Sequence, residues 1–321
     1  MLLNLQILRA FAALNVVLFH TIGTATSYGY ETNFFSYLEG WGANGVDIFF
    51  VISGFVMLYT QLDNKRTVKD FLILRAIRII PIYWLITFTI IIFYIVSPSV
   101  FRDLVITTEW ALSSLGFMSN AIVGKSPIVD VGWTLELEML FYIVFGLSLW
   151  FRSWMIKLSA TFIALIVISF VVSNLLLEFL AGLLIAILFK CYGFNRFSKE
   201  SLILGGLLLS LSISEEVTAL FESRVILWGL PSMFIVYGAV AAPQINSKLG
   251  KLLGDASYSI YLIQLVTISL FYKLIGVLGI ELNNDFLALA CLIATAIVGT
   301  VIHLFIEKPM THLLRKRVYS K

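Results

Sequence analysis

Apolar positions in this chain come in continuous runs rather than on one helical face. Runs at 5–23, 45–61, 77–97, 133–151, 156–174, 175–190, 200–213, 224–242, 255–275 and 286–306 are bounded by polar residues. Most approach or exceed the roughly 20 residues that cross a bilayer as a helix. The pattern predicts an all-α, polytopic membrane bundle of about ten transmembrane helices. Residues 1–321 then form a single transmembrane domain with no separate soluble domain. The stretch 104–122 breaks the pattern, because Glu109, Ser113, Ser114 and Asn120 interrupt it and a Gly124-Lys125-Ser126-Pro127 break follows. It is expected to be an interfacial or re-entrant piece.

Composition agrees with this pattern. The 321 residues are 60% hydrophobic and 13% charged, with a mean hydropathy of +0.97, far from the soluble norm of about 25% charged residues. The net charge of +3 is modest and the cations sit in short loops, which argues against a nucleic-acid partner. Cys191 and Cys291 have no CxxC or metal-ligand spacing, so they read as ordinary small core residues, with no metal site and no disulfide framework. The first run lacks a basic cluster ahead of it and contains Arg9 and His20, so it is expected to be a retained helix rather than a cleaved leader.

Charge placement sets the expected orientation. With ten spans and an inner N-terminus, 17 of the 22 Lys and Arg residues fall in inner segments, four (Arg102, Lys125, Arg224 and Lys273) fall outside, and Arg9 lies within the first span. Basic loops are retained on the cytoplasmic side, so both termini are expected in the cytoplasm. An eleventh span at 104–122 would place the basic tail, Arg315 to Lys321, outside.

On this frame a few polar residues stand out. Arg9 and His20 are 11 residues apart, about three helical turns and about 16 Å along one face. Arg9 then lies toward the cytoplasm and His20 toward the outer side. Each alone has an ordinary reading: Arg9 snorkels to the headgroups, and His20 bonds a carbonyl near the interface. Ionisable residues within spans more often face a bundle interior or an aqueous cavity, and the pair on one face favours a functional role. Arg75 and Arg78, three residues apart at the cytoplasmic end of the third helix, which is also its N-terminus, suit a phosphate-rich ligand or a positive-inside anchor. Glu138, near the outer start of the fourth predicted span, falls at about the depth of His20, whereas Glu136 points about 200° away. Asp47 opens the second span and fits a helix-dipole role as well as a site role. Glu178 reads as an outer-interface or packing residue, and Ser257, Tyr258 and Gln264 as interhelical bonding groups or substrate contacts.

These residues resemble the acyltransferase-3 family of membrane acyltransferases, which O-acylate bacterial polysaccharides and other extracytoplasmic acceptors. The resemblance rests on Arg9 through His20, Gly45 through Phe55, Arg75 to Arg78, Trp133 with Glu138, Phe141 and Tyr142, Ser257 through Leu262, and Glu307-Lys308-Pro309. Gln264 departs from it, since many members carry a histidine there. The resemblance implies a multi-pass enzyme of the bacterial inner (cytoplasmic) membrane that uses acetyl-CoA as co-substrate, with no permanently bound cofactor. Its acceptor would be a saccharide or lipid-linked glycan. His20, Glu138 and Arg9 are the expected catalytic set. Arg75, Arg78 and Arg9 would bind the acyl-CoA, and Asp47, Trp133 and Tyr258 would contact or support substrate. His20 would act as a base, with Glu138 orienting it, or would carry the acyl group itself. A transporter or flippase for a lipid-linked glycan and a membrane glycan polymerase are the alternative readings.

Overall fold

The computed structural model describes residues 2–63, 66–98, 105–194 and 196–319. Among the described residues every regular element is helical. In chain order these are α1 (Leu3–Ser27), α2 (Asn44–Asp63), α3 (Val68–Val96), α4 (Thr108–Leu115), α5 (Ser119–Val123), α6 (Trp133–Ser148), α7 (Trp154–Ser169), α8 (Leu176–Tyr192), α9 (Ser198–Leu211), α10 (Glu215–Leu220), α11 (Leu230–Ala241), α12 (Lys248–Leu278), α13 (Asn284–Ile302) and α14 (Lys308–Tyr319). A π-helical turn, Val225–Gly229, leads into α11, and another, His303–Glu307, joins α13 to α14. Lys65, Arg102 and Lys321 of the basic-residue count, and position 104, lie outside the described residues.

A helix coincides with each of the ten expected spans. By length and composition, six stretches can cross a membrane: Leu3–Ser27, Phe35–Asp63, Val68–Val96, Asp130–Ser148, Lys248–Leu278 and Asn284–Val318. The helices at the other four positions, α7, α8, α9 and α11, have 12 to 17 residues. At 1.5 Å per residue even the longest is shorter than a hydrocarbon core of about 30 Å. The 104–122 stretch forms α4 and α5, of eight and five residues, too short to span.

The helices gather into two compact units, one of Met1–Lys65 with Phe162–His303 and the other of Arg66–Thr161 with Leu304–Lys321. In the first unit α1 packs on α12, α2 and α13, α2 packs on α8, and α9 on α11. Its core gathers Ala13 and Val17 of α1 with Ala256, Ile260 and Ile268 of α12 and Cys291 of α13. Cys191 is not a core residue: it is exposed near the end of α8. In the second unit α3 packs against α6, α4 and α14.

Small residues set the helix spacing in the first unit. A Cβ on Gly45 would strike the Ala12 carbonyl of α1, and one on Gly54 of α2 the Phe179 carbonyl of α8. Side chains this small let backbones touch where lipid supplies no hydrophobic drive for association. Gly54→Val is therefore expected to lose about 1–3 kcal/mol through overpacking, seen as a lower thermal midpoint in detergent. Gly23→Ala, with open space where its Cβ would stand, should not lower the midpoint.

Candidate functional site

In the first unit α1 carries polar side chains on more than one face, and Asn4, Arg9 and Asn15 each find a partner. Asn4 donates to the Ala239 carbonyl at 2.9 Å and Asn15 to Asn44 Oδ1 at 3.1 Å, both buried. Arg9 follows the same logic, its Nη2 donating to Ser257 Oγ of α12 at 2.9 Å. An intramembrane guanidinium needs a polar partner, and Ser257 supplies one within the first unit. His20 lies further along α1, half-buried, with its ring edge-on to Phe19 at 4.8 Å. A Cβ on Gly42 would meet Phe19 at 3.0 Å, so the chain entering α2 presses on the turn that carries His20. Tyr258, next to Ser257, is half-buried.

Asp47 is wholly buried in α2 and pairs with Arg224, whose side chain is 29% exposed. Arg224 Nε lies 3.1 Å from Oδ1, and Nη2 lies 2.8 Å from Oδ2. Nη2 also donates to the Ala43 carbonyl at 2.9 Å, and the guanidinium sits 4.9 Å above the Trp228 ring. This fork leaves Asp47 compensated on both oxygens. The carboxyl of Glu178, from α8, faces Asp47 in the same cluster. Arg224 counted as an outward cation in the sequence, and Glu178 as an outer-interface or packing residue. The available signal was Asp47 itself, since a carboxylate in an apolar run calls for a cation, and Arg224 is the first residue of the run 224–242.

In the second unit Arg75 and Arg78 lie well inside α3, which starts nine residues ahead of the expected 77. Thr67 caps it: its Oγ1 accepts from the Asp70 amide at 3.1 Å and donates to the Asp70 carboxylate at 2.8 Å. The helix N-terminus is thus occupied by its own capping residues, about two turns from Arg75. The Arg75 guanidinium lies 5.7 Å from the Phe71 ring centre and 5.9 Å from that of Tyr142, and its Nε is buried without a hydrogen-bond partner among the described residues. Tyr142 OH donates to the Glu138 carboxylate. The like charges of Arg66 and Arg78 and the opposite charge of Glu138 all act on Arg75. Glu138 therefore stands in one cluster with Arg75.

Glu136 turns the other way, as its angular offset requires. It accepts from the amides of Ser119 at 2.6 Å and Asn120 at 3.3 Å, and from Asn120 Nδ2 at 2.8 Å, so it anchors the start of α5. Trp133 is the first residue of α6 and is half-buried. Among the described residues no group of three His, Cys, Asp or Glu side chains is placed to hold a metal ion.

A family model described as an acyltransferase domain, Acyl_transf_3, matches residues 2–305. The chain is 33% identical over 300 residues to the "Exopolysaccharide production protein ExoZ" of Rhizobium meliloti, covering 86% of this chain and 92% of that protein. It is 29% identical over 193 residues to the "Putative peptidoglycan O-acetyltransferase YrhL" of Bacillus subtilis, covering 53% of this chain and 28% of that longer protein. No solved structure matches the chain with significance.

Proposed function

The chain belongs to the acyltransferase-3 family, and we propose that it moves an acetyl group from cytoplasmic acetyl-CoA to a hydroxyl of an extracytoplasmic saccharide, such as an O-antigen, capsule or exopolysaccharide unit. The observation that carries this reading is α1, which holds Arg9 on Ser257 and a half-buried His20 about three turns further along. The proposed setting is the bacterial inner membrane with both termini in the cytoplasm, in keeping with the basic-loop count. The printed name of ExoZ favours an exopolysaccharide acceptor.

In the proposed reaction the neutral imidazole of His20 accepts the hydroxyl proton while the hydroxyl oxygen attacks the thioester carbonyl. The C–S bond breaks, the new C–O ester bond forms, and the departing CoA thiolate takes up a proton, so the products are ester and CoA thiol. Arg9, fixed by Ser257, orders the donor path. Arg75 offers an Nε with no hydrogen-bond partner among the described residues and, with Arg78, a doubled positive charge for the CoA phosphates. The Tyr142 ring beside the Arg75 guanidinium and the charge of Glu138 help to hold it in place.

Purified protein should release CoA thiol from acetyl-CoA only when an acceptor glycan is present. Thiol release without acceptor dependence, or movement of glycan without thiol release, overturns the proposal. Arg75→Ala is expected to raise KM for acetyl-CoA about tenfold or more while kcat changes less, as loss of a binding contact to phosphate does. Initial rates across a donor titration check this.

A further inference from the structure

We propose that the cavity beside Glu178 is a binding site for a neutral, hydroxyl-headed amphiphile that enters from the hydrocarbon phase. The cavity lies within the first unit between α8, the π-helical turn and α11, with a volume of about 230 Å³, and Glu178, Leu177, Ala181, Ile226, Leu230 and Met233 are among its walls. All but Glu178 in that set are apolar. Ile226 is 51% exposed and Leu230 44% exposed, so the mouth opens on an apolar outer surface, while Glu178 at the inner end is 1% exposed.

The chemistry of the head group follows from how Glu178 is held. Neither of its carboxyl oxygens receives a hydrogen bond from the described residues, an expensive state for a buried polar group. Arg224 directs its Nε and Nη2 hydrogen bonds to Asp47 and Ala43 and gives none to Glu178. Two facing carboxyls bond each other only through a proton, and one proton between Asp47 and Glu178 satisfies one Glu178 oxygen. The other oxygen still needs a donor, and a ligand hydroxyl provides it. An anionic head would meet two carboxyls and is rejected. The local backbone is shaped for this group: a Cβ at Gly229 would stand 2.8 Å from Glu178 Oε1, and Gly229 ends a π-helical turn, a form often found at functional sites. The apolar walls and mouth select the body of the ligand as the carboxyl selects its head.

Amphiphile binding at this cavity is independent of acyl transfer and can be measured apart from it. The full chain is placed in nanodiscs of phosphatidylcholine and phosphatidylglycerol. It is then irradiated with a long-chain primary alcohol carrying a diazirine, its methyl ether, its amine or the chain-matched carboxylic acid. The alcohol is expected to label the segment holding Ile226, Leu230 and Met233 about tenfold more than the ether, the factor that one hydrogen bond to a buried group supplies, and more than the amine or acid. Glu178→Leu should bring alcohol and ether to the same level. Met233→Trp, which fills the cavity and leaves Asp47, Glu178 and Arg224 unchanged, should remove the labelling; Ala181→Leu serves the same end from the opposite wall if that variant does not fold. Equal labelling by alcohol and ether, preference for the amine or acid, or labelling that persists in the filled variants overturns the proposal. Thiol release from acetyl-CoA, measured in the same discs, reports separately on the acyl-transfer reading.

Discussion

Replacing His20 with alanine is expected to reduce acyl transfer by about 10²–10⁴-fold, the range that a positioned general base contributes, while the protein still inserts and unfolds at nearly its normal temperature. The expectation of a near-normal fold comes from the exposure of His20, which is half-buried and stands outside the core that Ala13, Val17 and Ala25 of α1 enter. Its side chain meets Phe19 edge-on and is not part of the Ala13 and Val17 core. Arg9→Ala behaves differently, because it also strips Ser257 of its partner across α1 and α12; a loss of activity accompanied by a modest loss of stability is expected. Initial rates of thiol release beside thermal unfolding of the same preparations separate the two outcomes. Activity retained in His20→Ala removes it from the reaction.

Breaking the pair between Asp47 and Arg224 is expected to be asymmetric. Arg224→Ala leaves a wholly buried carboxylate without its cation and should cost about 3–5 kcal/mol. Asp47→Ala leaves a guanidinium that is already 29% exposed, still bonded to Ala43 and able to reach water. The cost there should be about 1–2 kcal/mol. Replacing both with apolar residues of similar volume, Asp47→Leu with Arg224→Met, should recover most of the loss, since hydrophobic substitutes for buried ion pairs are often neutral. Thermal or denaturant unfolding of the two singles and the double gives the coupling directly. Equal losses in the singles would mean that desolvation of Asp47 is not what the pair compensates.

The parts of this architecture legible in the sequence were those governed by one-dimensional patterns. Apolar runs marked a helix at each of the ten positions, and polar residues marked 104–122 as a break, which the structure fills with α4 and α5. The 200° offset between Glu136 and Glu138 was enough to separate their roles: one holds α5, the other bonds Tyr142. Pairings between helices distant in sequence were not legible. Asp47 and Arg224 are 177 residues apart, and loop-charge counting treats Arg224 as a solvent cation although it turns inward. The boundary of α3 was misplaced because Arg75, and Lys69 and Asp70 before it, interrupt the apolar run, whereas the helix continues through them to the Thr67 cap. That extension places Arg75 inside the helix, among Phe71, Tyr142 and Glu138, rather than at a helix start. Cys191 failed as a core residue because an apolar neighbourhood in sequence does not fix which face of α8 it occupies.

The most direct test of acyl transfer across the membrane uses sealed vesicles holding the protein in known orientation, acetyl-CoA labelled in its acetyl group supplied at the cytoplasmic face, and a saccharide acceptor enclosed at the opposite face. Labelled ester is expected on the enclosed saccharide with thiol released at the donor face, and both should be lost in His20→Ala. Labelled ester that appears only when donor and acceptor share one face, or saccharide that stays unlabelled while intact protein is present, contradicts it.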